Sequence, residues 1–368
     1  MAKRNGVLVL ADEAKVGQQF TCPGCNQPVI LKRGGIKVAH FAHKNANCNK
    51  LSENESQLHL SGKLALMQMA QELYPDTQVE TIFADIEQRA DVYLPSAKIA
   101  LEYQCSPIDQ VSLQQRTQGY LQIGLQVIWI LGNTYLKRKL TTQTLAKFAR
   151  FDVNWGFYLL FWDAKVRHFV LWTDIVEVAG HYRYQQSSHQ TYQELKQYHQ
   201  QCQLHQPPIA INQHIKQLES INSQIKLQKE TLIFMVTQCY RDGKILPACP
   251  IICHPKEAQF PIFGGHTLFW RILVVLKIFR GKTDWLTKKK LNLIFKETVE
   301  IYGIMFHQIP NCQRFYRLAF LQYLQELATN GYLKQTYDKV IITKRPKWFL
   351  DWDQKKRFWL QERKKESA

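Results

Sequence analysis

The chain has 368 residues, 45% of them hydrophobic, and carries a formal net charge of +18. That is enough apolar material to bury a sizeable core and enough length for two or three domains, while the basic balance points to a polyanion partner, nucleic acid ahead of a membrane surface. No membrane anchor is expected from the pattern. The apolar run before Asp12 is too short for a signal peptide, and Leu268 to Phe279 is broken by Arg271 and Lys277.

In chain order, residues 1–52 read as a small β unit built around zinc. Cys22-Pro23-Gly24-Cys25 is a C-x2-C knuckle, whose tight turn aims two thiolates at one ion. A hairpin follows, with strands from Pro28 to Lys32 and Ile36 to His43 and a turn at Gly34-Gly35. Cys48 comes five residues after His43. Structural zinc takes four ligands, so Cys22, Cys25 and Cys48 are joined by one histidine. His43 is preferred for its nearness to Cys48, and His40 competes. Nine cysteines, an odd number with three clustered among histidines, suit metal binding in a reducing compartment and therefore the cytoplasm.

From Glu53 to Leu73 the 3.6-residue period predicts a helix with Leu58, Ala65, Leu66, Met69 and Leu73 inward. Glu55, His59 and Lys63 line its border. A strand is expected over Gln78 to Phe83, then two more, Arg89 to Leu94 and Ile99 to Cys105, joined by a turn at Pro95 to Lys98. Alternation puts Lys98, Ala100, Glu102 and Gln104 on one face of the third strand. Across a hairpin, Asp91 meets Glu102, and the two carboxylates with the Gln104 carboxamide suit a hard cation and a phosphate. The spacing of Asp91 from Glu102-Tyr103-Gln104 resembles the PD-(D/E)XK nuclease signature, with Gln104 in place of its lysine. A second helix is expected from an N-cap at Ser106, through Arg116 and Tyr120, to Ile123. Gln126 to Leu131 reads as a buried parallel strand. The order αβββαβ is that of a restriction-endonuclease-like α/β core.

The succession CPGC, HFAHK, ESQLHLSGK, RADVYL, IALEYQCSPI and VIWILG resembles the competence protein CoiA-like family over roughly residues 15–135. The resemblance implies a zinc-bearing domain over 1–52 and a nuclease-like domain over 53–180. It further implies a metal-dependent DNA nuclease that handles single-stranded DNA during natural transformation and homologous recombination, alongside the recombinase. Asp91, Glu102 and the Tyr103 carbonyl would hold Mg2+ or Mn2+, with Glu55 directed at the same site and Gln104 positioning a water. His59, Lys63, Lys98, Arg116 and Tyr120 would contact DNA, Lys63 or Lys98 replacing the missing cation. Because Gln104 cannot relay a proton, the competing reading is a DNA-binding recombination mediator with little turnover.

Residues 181–368 are expected to form a mainly helical, basic domain, with 21 Lys and Arg against 9 Asp and Glu from Arg271 onward. Gly156 to Trp162 and Arg167 to Trp172 read as a hairpin, and Tyr182 to Pro208 as a polar helix or linker. Ile211 to Tyr240 reads as one long helix. Cys249-Pro250-Ile251-Ile252-Cys253-His254 has metal-type side chains without further partners. In the tail, tryptophans interleaved with basic residues suit either stacking on single strands or docking into the core.

Overall fold

The computed structural model describes residues 2–9, 11, 13–22, 26–34, 39–43 and 57–366. Glu55, Cys25 and Cys48 lie outside them. By packing, the chain divides into two compact units, one of residues 1–139, 159–171 and 186–200, the other of 140–158, 172–185 and 201–368.

The first unit begins with a five-stranded sheet in the order β2-β1-β3-β4-β5, from β1 (Ala2–Arg4), β2 (Val7–Val9), β3 (Phe20–Thr21), β4 (Pro28–Lys32) and β5 (His40–His43). Ala2, Ala14, Phe20 and Val29 form its small core, with Cys22, Leu31 and Phe41 packed against it. There follow α1 (Gln57–Gln71), β6 (Gln78–Phe83), β7 (Gln88–Leu94), β8 (Ile99–Gln104), α2 (Gln110–Gln122) and β9 (Gln126–Leu131), which is the αβββαβ order. The strands β6, β7 and β8 form an antiparallel meander, and β8 then pairs with β9 in parallel along its whole length. A parallel pair needs a crossover, and α2 supplies it. Ala65 and Leu66 of α1 pack on Val92, Leu94, Leu101, Tyr103 and Ile130 to make the core.

Gly62 allows that packing. A Cβ there would stand 2.6 Å from Cε1 of Tyr103, so any side chain would push α1 off the sheet. At the start of α2, the cap is Asp109 rather than Ser106: its carboxylate accepts the Ser112 N–H at 2.8 Å. The Ser106 carbonyl meanwhile takes donors from Gln104 and Tyr135, which fixes that residue in the preceding turn.

Next come α3 (Asn133–Leu136), α4 (Thr142–Phe148), β10 (Arg150–Asp152), β11 (Gly156–Asp163), β12 (His168–Val178) and β13 (His181–His189). The large sheet runs β13-β12-β11-β9-β8-β7-β6, with β10 paired on β11. The polar segment after Tyr182 is thus partly a strand, with Tyr184 stacked on Trp172 at 4.1 Å, before α5 (Tyr192–Gln201).

In the second unit the expected long helix is two, α6 (Ile211–Lys226) and α7 (Glu230–Arg241), broken where Gln228 takes a positive φ of 51°. Its apolar positions Ile215, Leu218 and Leu232 are buried within the chain, as domain packing and not a coiled coil requires. Then follow α8 (Thr267–Phe279), β14 (Trp285–Thr287), α9 (Lys288–Tyr302), α10 (Gln313–Thr329), β15 (Leu333–Gln335), β16 (Lys339–Ile342) and α11 (Trp352–Glu366). The tail tryptophan Trp359 is a core residue, 4% exposed. Beside it the buried Lys355 ammonium donates to the Cys249 carbonyl at 2.5 Å and lies 3.1 Å from the Cys249 sulfur and 2.9 Å from His254 Nε2. A lysine therefore stands where the Cys249–His254 motif would have held a metal. Burial pushes the Cys249 thiol up, but Cys253 and Lys355 outweigh it and bring it down to about 6. Among the described residues no helix is long and apolar enough to cross a membrane.

Candidate functional site

The site lies where β7 and β8 part. Their pairing runs from Leu94 opposite Ile99 to Val92 opposite Leu101. One step beyond, the Tyr103 N–H donates to the Asp91 carboxylate at 2.8 Å, a side chain standing in for a backbone acceptor. Asp91 and Glu102 are both buried, 6% and 2% exposed. Each is met by a base from a helix.

On Asp91 the base is Lys63 of α1, wholly buried, its ammonium 2.9 Å from Oδ1 and also bonded to Glu80. His59, one turn earlier, brings Nε2 to 3.8 Å from the same carboxylate. Glu80 is held in turn by Arg89 at 2.9 Å. It adopts a φ of 57° in the middle of β6, a conformation that costs about 1–3 kcal/mol outside glycine and persists only where surroundings enforce it. On Glu102 the partners are Arg116, at 2.6 Å, and the Tyr120 hydroxyl, one helical turn apart on α2.

These contacts drive the two acids in opposite directions. Burial would raise Asp91, yet the Lys63 charge and His59 hold it well below the usual carboxylate range. For Glu102 burial prevails: Arg116 and the hydrogen bonds oppose it, the charge of Asp91 adds to it, and the carboxyl is pushed up to about 7. A group that gains or loses its proton near neutrality therefore sits beside one that stays ionised.

The remaining sequence candidates fall differently. Tyr120 has no exposed surface, so its hydroxyl serves Glu102 and offers nothing to a DNA surface. Arg116 is mostly committed to the same carboxylate. Lys98 is exposed in the β7–β8 turn, four residues before Glu102, which is about 13 Å along a strand. Lys63, not Lys98, is the cation brought to the acids. The Gln104 amide donates to the Ser106 carbonyl at 2.6 Å. Among the described residues no three His, Cys, Asp or Glu side chains could hold a metal ion; Asp91 and Glu102 form a pair, and Glu55 is outside those residues.

In the N-terminal sheet, Phe20 pairs with Val29 and Val29 with His43. Opposed residues share a face, and Cys22 lies two beyond Phe20, so Cys22 and His43 belong to one face. His40, opposite Lys32, belongs to the other.

Residues 55–206 match the model of the competence protein CoiA nuclease-like domain, and residues 10–50 that of the competence protein CoiA N-terminal domain. Together they cover just over half of the chain. It belongs to the CoiA-like family. Competence protein CoiA of Bacillus subtilis (strain 168) is 37% identical over 124 residues, a stretch that spans 33% of each chain. No solved structure matches.

The sequence reading did not single out Glu80 and Arg89. The available signal was a lone acid amid the β-branched and aromatic residues of Gln78 to Phe83, in register opposite Asp91 once Thr81 pairs with Ala90.

The raised Glu102 sets a pH signature. A carboxyl whose folded pKa lies above its unfolded value of 4.5 weakens the fold as pH rises from there to about 7. Glu102→Gln removes that penalty. Its stability relative to the unaltered chain should improve by on the order of 3 kcal/mol between those limits and then level off. Urea unfolding across that range checks it, and a difference that does not vary with pH would contradict the assignment.

Proposed function

We propose that the nuclease-like domain binds Mg2+ or Mn2+ at Asp91 and Glu102 and hydrolyses phosphodiester bonds of DNA. Its setting is the handling of single-stranded DNA in natural transformation and homologous recombination, with the recombinase as partner. The supporting observation is the pair of buried carboxylates on parting strands, near enough that the charge of one raises the pKa of the other. Carboxylate oxygens are the donors a hard cation takes. The Tyr103 carbonyl fits the same set, since the N–H and C=O of a strand residue leave on one edge and its N–H is directed at Asp91. Glu55 is proposed as a further acid.

A divalent ion held there supplies charge neutralisation of the phosphate and a water of lowered pKa. Asp91 is ionised in advance, whereas Glu102 must release its proton to become a ligand, which favours binding above about pH 7. Lys63 provides beside Asp91 the positive charge that Gln104 lacks. Wholly buried and bonded to both Asp91 and Glu80, it acts through the Asp91 carboxylate and, contrary to the sequence expectation, offers no contact to DNA. His59 is placed to hold the Asp91 carboxylate. The alternative, a DNA-binding mediator with little turnover, draws support from the same pairing: Lys63 and Arg116 already neutralise both acids.

Incubating the purified chain with single- and double-stranded DNA in Mg2+, Mn2+ or EDTA separates the two. Nuclease action predicts product with a divalent ion, none in EDTA, and a loss of at least about 100-fold in Asp91→Asn. DNA binding without product in any metal decides for the mediator.

For residues 1–52 we propose zinc held by Cys22, Cys25, Cys48 and His43, the shared face of Cys22 and His43 favouring His43 over His40. Metal analysis of the purified chain should find zinc lost in His43→Ala and retained in His40→Ala. The reverse pattern would transfer the role to His40.

A further inference from the structure

We propose that residues Thr267–Ile342 form a winged-helix module that grips duplex DNA, with Lys288, Lys289 and Lys339 on phosphates and Tyr337 at the wing tip. The inference is independent of the acidic pair in the nuclease-like domain and stands whether or not that pair cleaves DNA.

The topology is the first support. The segment runs helix, strand, helix, helix, strand, strand: α8, β14, α9, α10, β15, β16. Its sheet has the order β14-β16-β15, so the first strand pairs with the last and the final hairpin projects as a wing. The connection from α9 to α10 spans ten residues, 303–312, longer than a helix-turn-helix turn, which hides the pattern in sequence. Phe315, Tyr316, Phe320, Tyr323, Leu324 and Leu327 bury one side of α10. The other side exposes Arg314, Arg317, Leu318, Leu321, Gln322 and Gln325. Arg314 lies over the Phe151 and Phe315 rings and Arg317 donates to Asn292 at 2.9 Å, so the open strip is Leu318, Leu321, Gln322 and Gln325. A helix so exposed has the width to enter a major groove, where glutamine side chains read base edges.

A fold does not establish a function; charge and side-chain placement supply the argument. Thr267 to Lys344 holds thirteen Lys and Arg against five Asp and Glu. Three of the acids are already paired: Glu326 with Arg271, Glu297 with Lys277, and Asp284 with Arg345. Lys288, Lys289, Lys290, Lys334 and Lys339 are exposed and have no ion pair among the described residues. The excess is local. Lys288 sits 5.3 Å from the ring centre of Tyr337, which is 90% exposed, and Lys339 sits 5.6 Å from that of Trp285, 49% exposed. Large rings left in solvent, each with an ammonium over it, complement a surface that is anionic at its edge and apolar in its groove. Single-stranded DNA binds by stacking on free ring faces; the winged-helix order of elements, with a helix exposed along one face beside the hairpin, favours the duplex instead.

The test measures fluorescence anisotropy of the full chain in EDTA with a ~25-bp DNA duplex, the corresponding single strand and an RNA duplex. The wing variant Lys288→Glu/Lys289→Glu/Lys339→Glu is compared with Lys165→Glu/Lys196→Glu/Lys216→Glu, which changes net charge equally elsewhere. The wing variant should weaken duplex DNA binding by about 30-fold or more and flatten its salt dependence by about two to three in log–log slope. The control triple should change it by less than about threefold. Tyr337→Ala, outside the core, should weaken it without altering the salt slope. Equal losses in both triples, unchanged duplex binding in the wing variant and in Tyr337→Ala, or a loss confined to single strands or RNA would overturn the proposal.

Discussion

A single ammonium group organises the nuclease-like domain. Lys63 is shut away from water between Glu80 and Asp91. A charge in that position is tolerable only when paired and hydrogen-bonded. Around it, Gly62 brings α1 against Tyr103, Glu80 takes a left-handed backbone, and Arg89 balances the second acid. The parting of β7 from β8 belongs to the same arrangement, since the Asp91 carboxylate accepts the N–H that a closed ladder would have given to a backbone oxygen. One helix thereby keeps Asp91 ionised, while burial leaves Glu102 on the adjoining strand with its pKa near neutrality.

Much of this was legible because it follows short periods. Strand alternation and the Pro95–Lys98 turn set Asp91 and Glu102 together, and the apolar run Gln126 to Leu131 gave the parallel partner. The cysteine and histidine spacing near the N-terminus marked a candidate ligand set, and strand register then divided His40 from His43. What sequence withheld depends on contacts across elements. Glu80 is unremarkable until β6 is laid against β7. Arg116 and Tyr120 look like surface residues on α2 until the helix is packed over Glu102. The break at Gln228 has no proline or glycine to announce it, and Lys355 meets Cys249 across more than a hundred residues of chain.

Two basic features then have different characters. Around the acidic pair the positive groups Lys63, Arg89 and Arg116 are withdrawn from solvent and matched to acids, so they set pKa values and hold strands in place. On α9 and the β15–β16 hairpin they are exposed and unmatched, and they contribute field and phosphate contacts instead. A net charge of +18 says nothing of this division; burial decides it.

The most direct test of the central pairing is a double-mutant cycle in unfolding free energy on Lys63→Met and Asp91→Asn. Asp91 has a folded pKa held below its unfolded value of 3.8, so its contribution is present above that pH and fades as pH falls further. At pH 7 the account predicts a favourable coupling on the order of 3 kcal/mol that diminishes in acid. A coupling within about 0.5 kcal/mol of zero at pH 7 would contradict it.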